Sequence, residues 1–397
     1  MTELRRGEML NPELETQTPE ARRAFLDQRL REKHGGLSLD ELGTRPITRK
    51  DSLAKMQAEN PPFAGLLASS PMRLRRMFAS PGPTYVPQGM AVDYWRFGMA
   101  FAACGIRAGD VVMNTLSYHL TPGGFMLDSG LRSLGCVVIP AGTGQTDLQV
   151  KVASTLQATG YAGTPSFLRT LLLHARDLKV PLHFEVAFAT AEMLPESLRA
   201  ELEGFGIRVL QGYATADLGV LAYECSEKNG MHLQPECIVE ILDLETGKPA
   251  EPGQTGHVVG TTFDNDYPLL RFATGDLSAL IPDEKPCPCG RTAQRLKGLL
   301  GRVGDAIKVK GMFVRASEIE EVMKQFAAVA RFQAVVTRSE HQDQLEYLVE
   351  LAPAAAEPAD LAEALRGVVK VRGEVRVVPP GTLSANAAKL DDRRVWK

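Results

Sequence analysis

Four residues in the second half of the chain carry the clearest chemistry. Cys287 and Cys289 stand in CPCGRT, a knuckle bounded by Pro and Gly that can aim two thiolates at one point, and Cys225 and His232 bracket the loop CSEKNGMH. Two separate pairs of soft ligands suit a closed tetrahedral zinc site of three cysteines and one histidine. Cys237 is the substitute ligand, but it begins the apolar run CIVEIL and reads better as a core residue. Reduced cysteines that bind no metal are the plainer alternative. Asp276, in LLRFATGDLSAL, offers different chemistry. An acid held at a Thr-Gly turn right after a strand can accept two hydroxyl hydrogens, as from a ribose, or it can cap its own turn. The stretch FASPGPTYVPQG, residues 78–89, has the glycine and threonine content of a loop that wraps phosphate. Three prolines stiffen it, and because a proline lacks an N–H, a cradle made of backbone donors loses two of them, at Pro81 and Pro83. A second glycine cluster, PAGTGQTD, lacks the Gly-x-Gly-x-x-Gly spacing and reads as a tight turn between strand and helix.

These groups need a scaffold. The chain has 397 residues, enough for two or three domains, with 44% hydrophobic and 23% charged residues as in an ordinary soluble globular protein. A net charge of -3 argues against a nucleic-acid partner, whose footprint would be basic. The opening MTELRRGEMLNPELETQ has no apolar core of a secretory signal, and no uncharged apolar run is long enough to span a bilayer. The expectation is a cytoplasmic protein with no membrane partner, whose six cysteines are mostly reduced thiols; Cys104 and Cys136, in apolar surroundings, are expected in the core.

After a charged helix within residues 1–35 that stops at Gly35-Gly36, residues from about 90 to 215 alternate between helical spacing and short apolar runs. The runs are VVMN, CVVIP, YAGTP, FEVAFAT and RVLQGY. This is the pattern of a mostly parallel sheet covered by helices, in which ligands bind beyond the carboxyl ends of strands. The segments placed there are NTLSYH, IPAGTGQ, GTPS, ATAEM and GYATAD. The texture then becomes antiparallel in CIVEILDLETGKPAEPGQTGHVVGTTF. A compact α+β unit follows. RASEIEEVMKQF reads as a helix with Ser317 and Glu320 as its capping box and Ile319, Val322, Met323 and Phe326 on one face. QLEYLVEL reads as a half-buried strand and DLAEALRGVVK as a further helix. The fold class is therefore α/β, with a large N-terminal part over residues 1–301 and a small C-terminal domain over 302–397.

ATAEML, GYATADLG, RFATGDL, GRVGDAIKVKG, SEIEEV and a lysine near the C-terminus follow one another in the order and spacing of the adenylate-forming enzymes. Within them the chain most resembles the phenylacetate–coenzyme A ligase family, from about residue 75 to the end, including GDVVMN, GCVVIPAGTGQTDLQV, GTPSFL and CPCGRT. The resemblance implies an enzyme that joins a carboxylic acid, aryl or arylacetic, to the α-phosphate of ATP and passes the acyl group to coenzyme A. It implies Mg²⁺ and a structural Zn²⁺ as metals, AMP as the nucleotide product, and a homodimer. Rival outcomes are acyl transfer to a carrier protein, and a non-catalytic homologue that binds AMP or acyl-adenylate.

By the same resemblance, Glu192 lies in the strand-end segment beside the adenine. Tyr213 would lie against the adenine ring, with Gly212 and Ala214 beside it at the nucleotide. Asp276 would hold the ribose hydroxyls, and Arg302 would help from the domain junction. Asp217 stands where the family usually has a glutamate for Mg²⁺, one methylene shorter. Gly82 and Thr84 match the phosphate loop, whose rigid turn would present Thr84, whereas Tyr85 and Val86 replace a glycine and a lysine. Lys389 matches the mobile lysine that neutralises charge on the reacting oxygens. Asp305 matches the hinge, and Tyr118 and His119 would line the acyl pocket.

Overall fold

In the computed structural model, the expected alternation becomes eight strands in one sheet. The structure describes residues 9–80, 84–244, 246–282, 286–302, 306–310, 312–353, 355–356, 358–384 and 388–394. The sheet runs in the order Arg295–Leu296, Met231–Leu233, Gly219–Glu224, Arg208–Thr215, Val186–Ala189, Gly160–Gly163, Val111–Asn114, Val137–Pro140. The last five are mutually parallel, and the first three are added antiparallel on the other edge of Arg208–Thr215.

Strand periodicity sends successive side chains to opposite faces, so each face needs its own cover. Val112 and Phe188 enter a core with Phe97, Phe101, Leu127 and Leu131, while Met113 and Ala187 enter another with Val150, Leu168, Leu171 and Leu198. The helices Phe97–Cys104 and Gly123–Leu134 cover the first face, and Thr146–Thr155 and Pro165–Leu178 cover the second. Gly130 has a physical reason to be glycine: a Cβ there would lie 2.3 Å from Phe97 Cβ, so the two helices approach too closely for any side chain. Helix Gly123–Leu134 ends at Gly135, with φ +91°, a left-handed cap that favours glycine. Cys104 and Cys136 are buried as expected.

A second sheet runs Thr48–Arg49, Phe272–Ser278, Gly256–Thr261, Ile238–Leu242. The antiparallel segment expected after residue 236 supplies two of these strands. Among the described residues no helix is long and apolar enough to cross a membrane.

The charged N-terminal helix spans Pro19–Lys33, capped by the Thr18 hydroxyl, and it does stop before the Gly pair. Ahead of it, the short helix Pro12–Glu15 contributes something the sequence did not announce. Glu15, 2% exposed, forms a buried ion pair with Arg291 and accepts a hydrogen bond from the Tyr223 hydroxyl. Removing one partner of such a pair strands a charge in the interior, at a cost of about 3–5 kcal/mol. Glu15→Ala is therefore expected to lower the unfolding free energy, read from the first denaturant transition, by that much. A change below about 1 kcal/mol would show the pair to be solvated.

The chain divides into two compact units: residues 1–194 with 198–301, and residues 195–197 with 302–397. In the second unit a sheet runs Glu374–Val378, Gln342–Leu351, Val329–Ser339, Leu390–Asp392. Ile319, Val322 and Met323 of the helix Ala316–Met323 join Leu345, Tyr347, Val349, Leu361 and Leu365 in its core, as their spacing required. Two readings are corrected. The strand Gln342–Leu351 is covered on both faces, because Leu348 packs with Val335, Val378 and Leu383. The capping box is replaced: Arg315 is the N-cap, and Glu320 instead pairs with Lys324 at 3.1 Å and Lys389 at 2.6 Å.

Candidate active site

The carboxyl ends of the parallel strands gather most of the singled-out residues. Gly212, Tyr213 and Ala214 form the far end of Arg208–Thr215, and Asp217 follows within two residues. Glu192, half-buried, comes just after Val186–Ala189, beyond Ala191 with φ +67°. A left-handed alanine at a strand end is a strained position of the kind that collects at binding sites. The Thr190 hydroxyl donates to the carbonyl of Gly212 at 3.0 Å and ties the two ends together.

Tyr213 is buried, and its hydroxyl donates to Asp276 Oδ2 at 2.8 Å. Asp276 does not follow a strand, as its turn-like sequence implied. It lies inside Phe272–Ser278, past a kink at Gly275 with φ +83°. Its own backbone N–H donates to the Thr274 hydroxyl, so that group is satisfied without the carboxylate. An acid held by a phenol, both enclosed, is a fixed hydrogen-bond acceptor.

The stretch 78–89 is a hairpin, Arg76–Ala79 against Tyr85–Gln88, and Gly82, Pro81 and Pro83 lie outside the described residues. Thr84 is not presented outward. It is 2% exposed, and its hydroxyl is 2.7 Å from that of Ser80. Val86, at the position of the missing lysine, is buried, whereas Tyr85 is exposed. Gln57 grips this hairpin, donating to Tyr85 O at 2.8 Å and accepting from Tyr85 N at 2.7 Å.

Asp217 is enclosed, and Lys50 Nζ lies 2.6 Å from its Oδ2, while Oδ1 is buried with no partner among the described residues. Mg²⁺ demands an octahedral shell of oxygens and keeps several waters. A single carboxylate already neutralised by an ammonium does not fit that demand. Asp217 also belongs to no cluster of three or more ligating side chains among the described residues.

Tyr118 is half-buried after Val111–Asn114; Asn114 donates to its hydroxyl at 2.7 Å, and its ring meets Phe125 edge-on at 5.0 Å. Burial, then the nearby Asp128 charge, pushes its pKa up, so it stays a neutral phenol. His119 is exposed. In the second unit Lys389 Nζ pairs with Glu320 at 2.6 Å and stands 5.8 Å from the Phe332 ring centre. The hydrogen bond from Lys389, then that from Lys324, lowers the Glu320 pKa. Arg302 lies on the strand Gly301–Arg302 with its side chain undescribed, and Asp305 lies outside the described residues.

Cys225, His232, Cys287 and Cys289 come together with all four ligand atoms within 4.8 Å of one another. The hairpin between Gly219–Glu224 and Met231–Leu233 sets Cys225 beside His232, and the knuckle before Arg295–Leu296 closes over them. Cys225 and Cys287 sulfurs are 3.7 Å apart, and Cys289 Sγ is 3.4 Å from His232 Nε2. Tetrahedral zinc with Zn–S bonds of about 2.3 Å puts two sulfurs roughly 3.8 Å apart, so the donor set fits. His232 Nδ1 is 3.2 Å from the carbonyl of Ala293, which leaves Nε2 facing the sulfurs. The hydrogen bond from Cys225, with that from His232, holds the Cys289 thiol far below its usual range. Cys237 is buried elsewhere and bonds to backbone carbonyls, as a core cysteine does.

The strand ends of the parallel sheet gather an enclosed acid–phenol pair, and the class of protein built on this frame is given by the family that the sequence matches. Residues 90–261 match the family described as AMP-binding enzyme, and residues 311–395 match the AMP-binding enzyme C-terminal domain. The chain belongs to the phenylacetate–coenzyme A ligase family. It is 30% identical to phenylacetate–coenzyme A ligase of Thermus thermophilus over 383 residues, which span 86% of this chain and 84% of that one. It is 28% identical to the enzyme of that name from Aromatoleum evansii, over 90% of this chain and 86% of that one. Its fold is that of 2-hydroxyisobutyryl-CoA ligase, solved with 2-HIB-AMP and CoA, with a TM-score of 0.86, 24% identity, and coverage of 96% of this chain and 92% of the other.

Proposed function

We propose that the protein activates an aryl or arylacetic acid as its acyl-adenylate and transfers the acyl group to coenzyme A. The class, an ATP-dependent acid–coenzyme A ligase, goes with membership of the family. The observation that carries the site assignment is the buried Asp276 carboxylate, fixed by the Tyr213 hydroxyl beside the strand-end segment Gly212–Ala214. Asp276 accepts hydrogen bonds from the ribose hydroxyls. Tyr213 sets the position of that carboxylate, while the adenine lies along Glu192 and residues 212–214.

In the first half-reaction an oxygen of the substrate carboxylate bonds to the α-phosphorus as the bond to pyrophosphate breaks. In the second, the thiol sulfur of coenzyme A bonds to the acyl carbon and AMP leaves. Lys389 supplies positive charge to the oxygens that become more negative in the first step. Arg302 assists the nucleotide, and Asp305 lies in the hinge of a mobile C-terminal domain over 302–397. Tyr118, held flat-edged to Phe125, supplies an aromatic wall suited to an aryl group. His119 stands at the rim of that pocket. The knuckle of Cys225, His232, Cys287 and Cys289 holds a structural Zn²⁺, and a cytoplasmic homodimer accords with this reading.

Pyrophosphate release across a panel of acids, with and without coenzyme A, tests the proposal. Release with aryl acids and thioester formation with free coenzyme A support it. Adenylation without thioester formation favours a carrier-protein acceptor, and AMP binding without either half-reaction favours a non-catalytic homologue.

The hairpin has a measurable consequence. With Thr84 bonded to Ser80 and Val86 buried, the stretch 78–89, which has no lysine or arginine, offers no side-chain cation to the outer phosphates. A ligand that binds only the folded state stabilises it by mass action, about 2.7 kcal/mol at a hundred times its Kd. AMP and ATP at equal concentration are expected to raise Tm by similar amounts. An ATP advantage larger than about tenfold in affinity, roughly 1.4 kcal/mol, would contradict this reading of the hairpin.

A further inference from the structure

Lys50 was not among the residues that the sequence singled out, yet it makes the closest charged contact at the strand-end site. Its ammonium lies 2.6 Å from Asp217 Oδ2; the Asp217 side chain is wholly enclosed and that of Lys50 is 14% exposed. Two elements fix Lys50 in place. It is the first residue of the helix Lys50–Glu59, and the strand before it pairs in parallel register with the strand that bears Asp276, Thr48 with Phe272 and Arg49 with Ala273. The same ten-residue helix carries Gln57, whose amide bonds to both backbone polar atoms of Tyr85 on the hairpin. One short helix therefore links the hairpin to Asp217.

A buried carboxylate with an ammonium on it can be a purely structural pair. Two observations point to a ligand instead. Among the described residues the Lys50 ammonium has one acceptor, Asp217 Oδ2, so two of its three N–H donors are left for a bound anion. The stretch 78–89 has no lysine or arginine, and a buried valine stands where a phosphate-binding lysine would serve, so that charge has to come from another segment.

We propose that Lys50 is the phosphate-facing cation of the nucleotide site and that Asp217 anchors this lysine rather than coordinating Mg²⁺. The inference rests on the nucleotide reading above. The ammonium donates its remaining hydrogen bonds to the α-phosphate, the group AMP and ATP share; no proton or electron moves. Asp217 holds the charge in place without side-chain freedom, as a preorganised electrostatic site requires.

Calorimetric binding of adenosine, AMP and ATP to the full chain, with Mg²⁺ varied, tests it. K50M leaves Asp217 unpaired and can fail to fold, so the double variant K50M/D217N, which removes both charges, is the decisive one. It is expected to bind adenosine like the wild type and to lose AMP affinity by at least about tenfold. K50R is expected to retain the preference for AMP over adenosine. D217N should leave unchanged the Mg²⁺ concentration that half-saturates ATP binding. A double variant that keeps the full AMP preference overturns the role of Lys50. So does D217N if it raises the Mg²⁺ requirement about tenfold, because Asp217 would then be a metal ligand. A wild-type chain that binds neither adenosine nor AMP overturns the nucleotide reading, and this inference with it.

Discussion

Cys287→Ser is expected to release the metal and to lower Tm by on the order of 10 °C. Protein purified without added metal should carry about one equivalent of zinc, and the variant less than roughly a tenth. The size of the effect follows from what the four ligands join. Cys225 and His232 close one hairpin of the eight-stranded sheet, and Cys287 and Cys289 bring in the segment that leads to its edge strand. Loss of a structural metal belongs to the small group of single changes that exceed about 4 kcal/mol. Wild-type protein that holds no zinc, together with an unshifted variant, would leave the four residues as reduced thiols.

Lys389→Ala is expected to cut pyrophosphate release about 10²–10³-fold and to leave AMP affinity nearly unchanged. Removal of one positioned donor from a developing oxyanion typically has that effect on rate. The lysine is 47% exposed in its pair with Glu320, and exposed pairs contribute at most about 1 kcal/mol to stability. The variant should therefore fold normally, which separates a chemical role from a structural one. Thioester formation from preformed acyl-adenylate should survive, since the role proposed for Lys389 belongs to the first step. A variant with full pyrophosphate release would assign the charge to another residue.

The alternation of helices and strands in residues 90–215 was legible because both periodicities are local. The cluster of Cys225, His232, Cys287 and Cys289 was legible because its residue types are rare and chemically specific. Contacts between distant segments were not. Glu15 meets Arg291, and Lys50 meets Asp217 across 167 residues; in sequence each is an ordinary charge near a polar loop. Thr84 could be recognised as a loop residue, but not as one whose hydroxyl is 2.7 Å from that of Ser80, because that bond depends on how the hairpin closes. Glu320 matched a capping-box spacing, yet the helix starts at Ala316 with Arg315 as its N-cap, and Glu320 pairs with Lys389 far along the chain.

Arg208–Thr215 has an asymmetry with mechanical meaning. Residues 208–211 pair in parallel with Val186–Ala189, whereas Gly212–Thr215 pair only with Gly219–Tyr223 among the described strands. The segment that carries Tyr213 is thus a cantilever, rooted in the parallel sheet and braced from one side. Its stiffness comes from the beam behind it, the ribbon Gly219–Glu224, Met231–Leu233 and Arg295–Leu296, which the cysteine–histidine cluster clamps at one end. Loosening that clamp should let the tip bend before any strand detaches. Partial removal of metal should then blur the position of Asp276 and weaken nucleotide binding at temperatures where the protein is still folded.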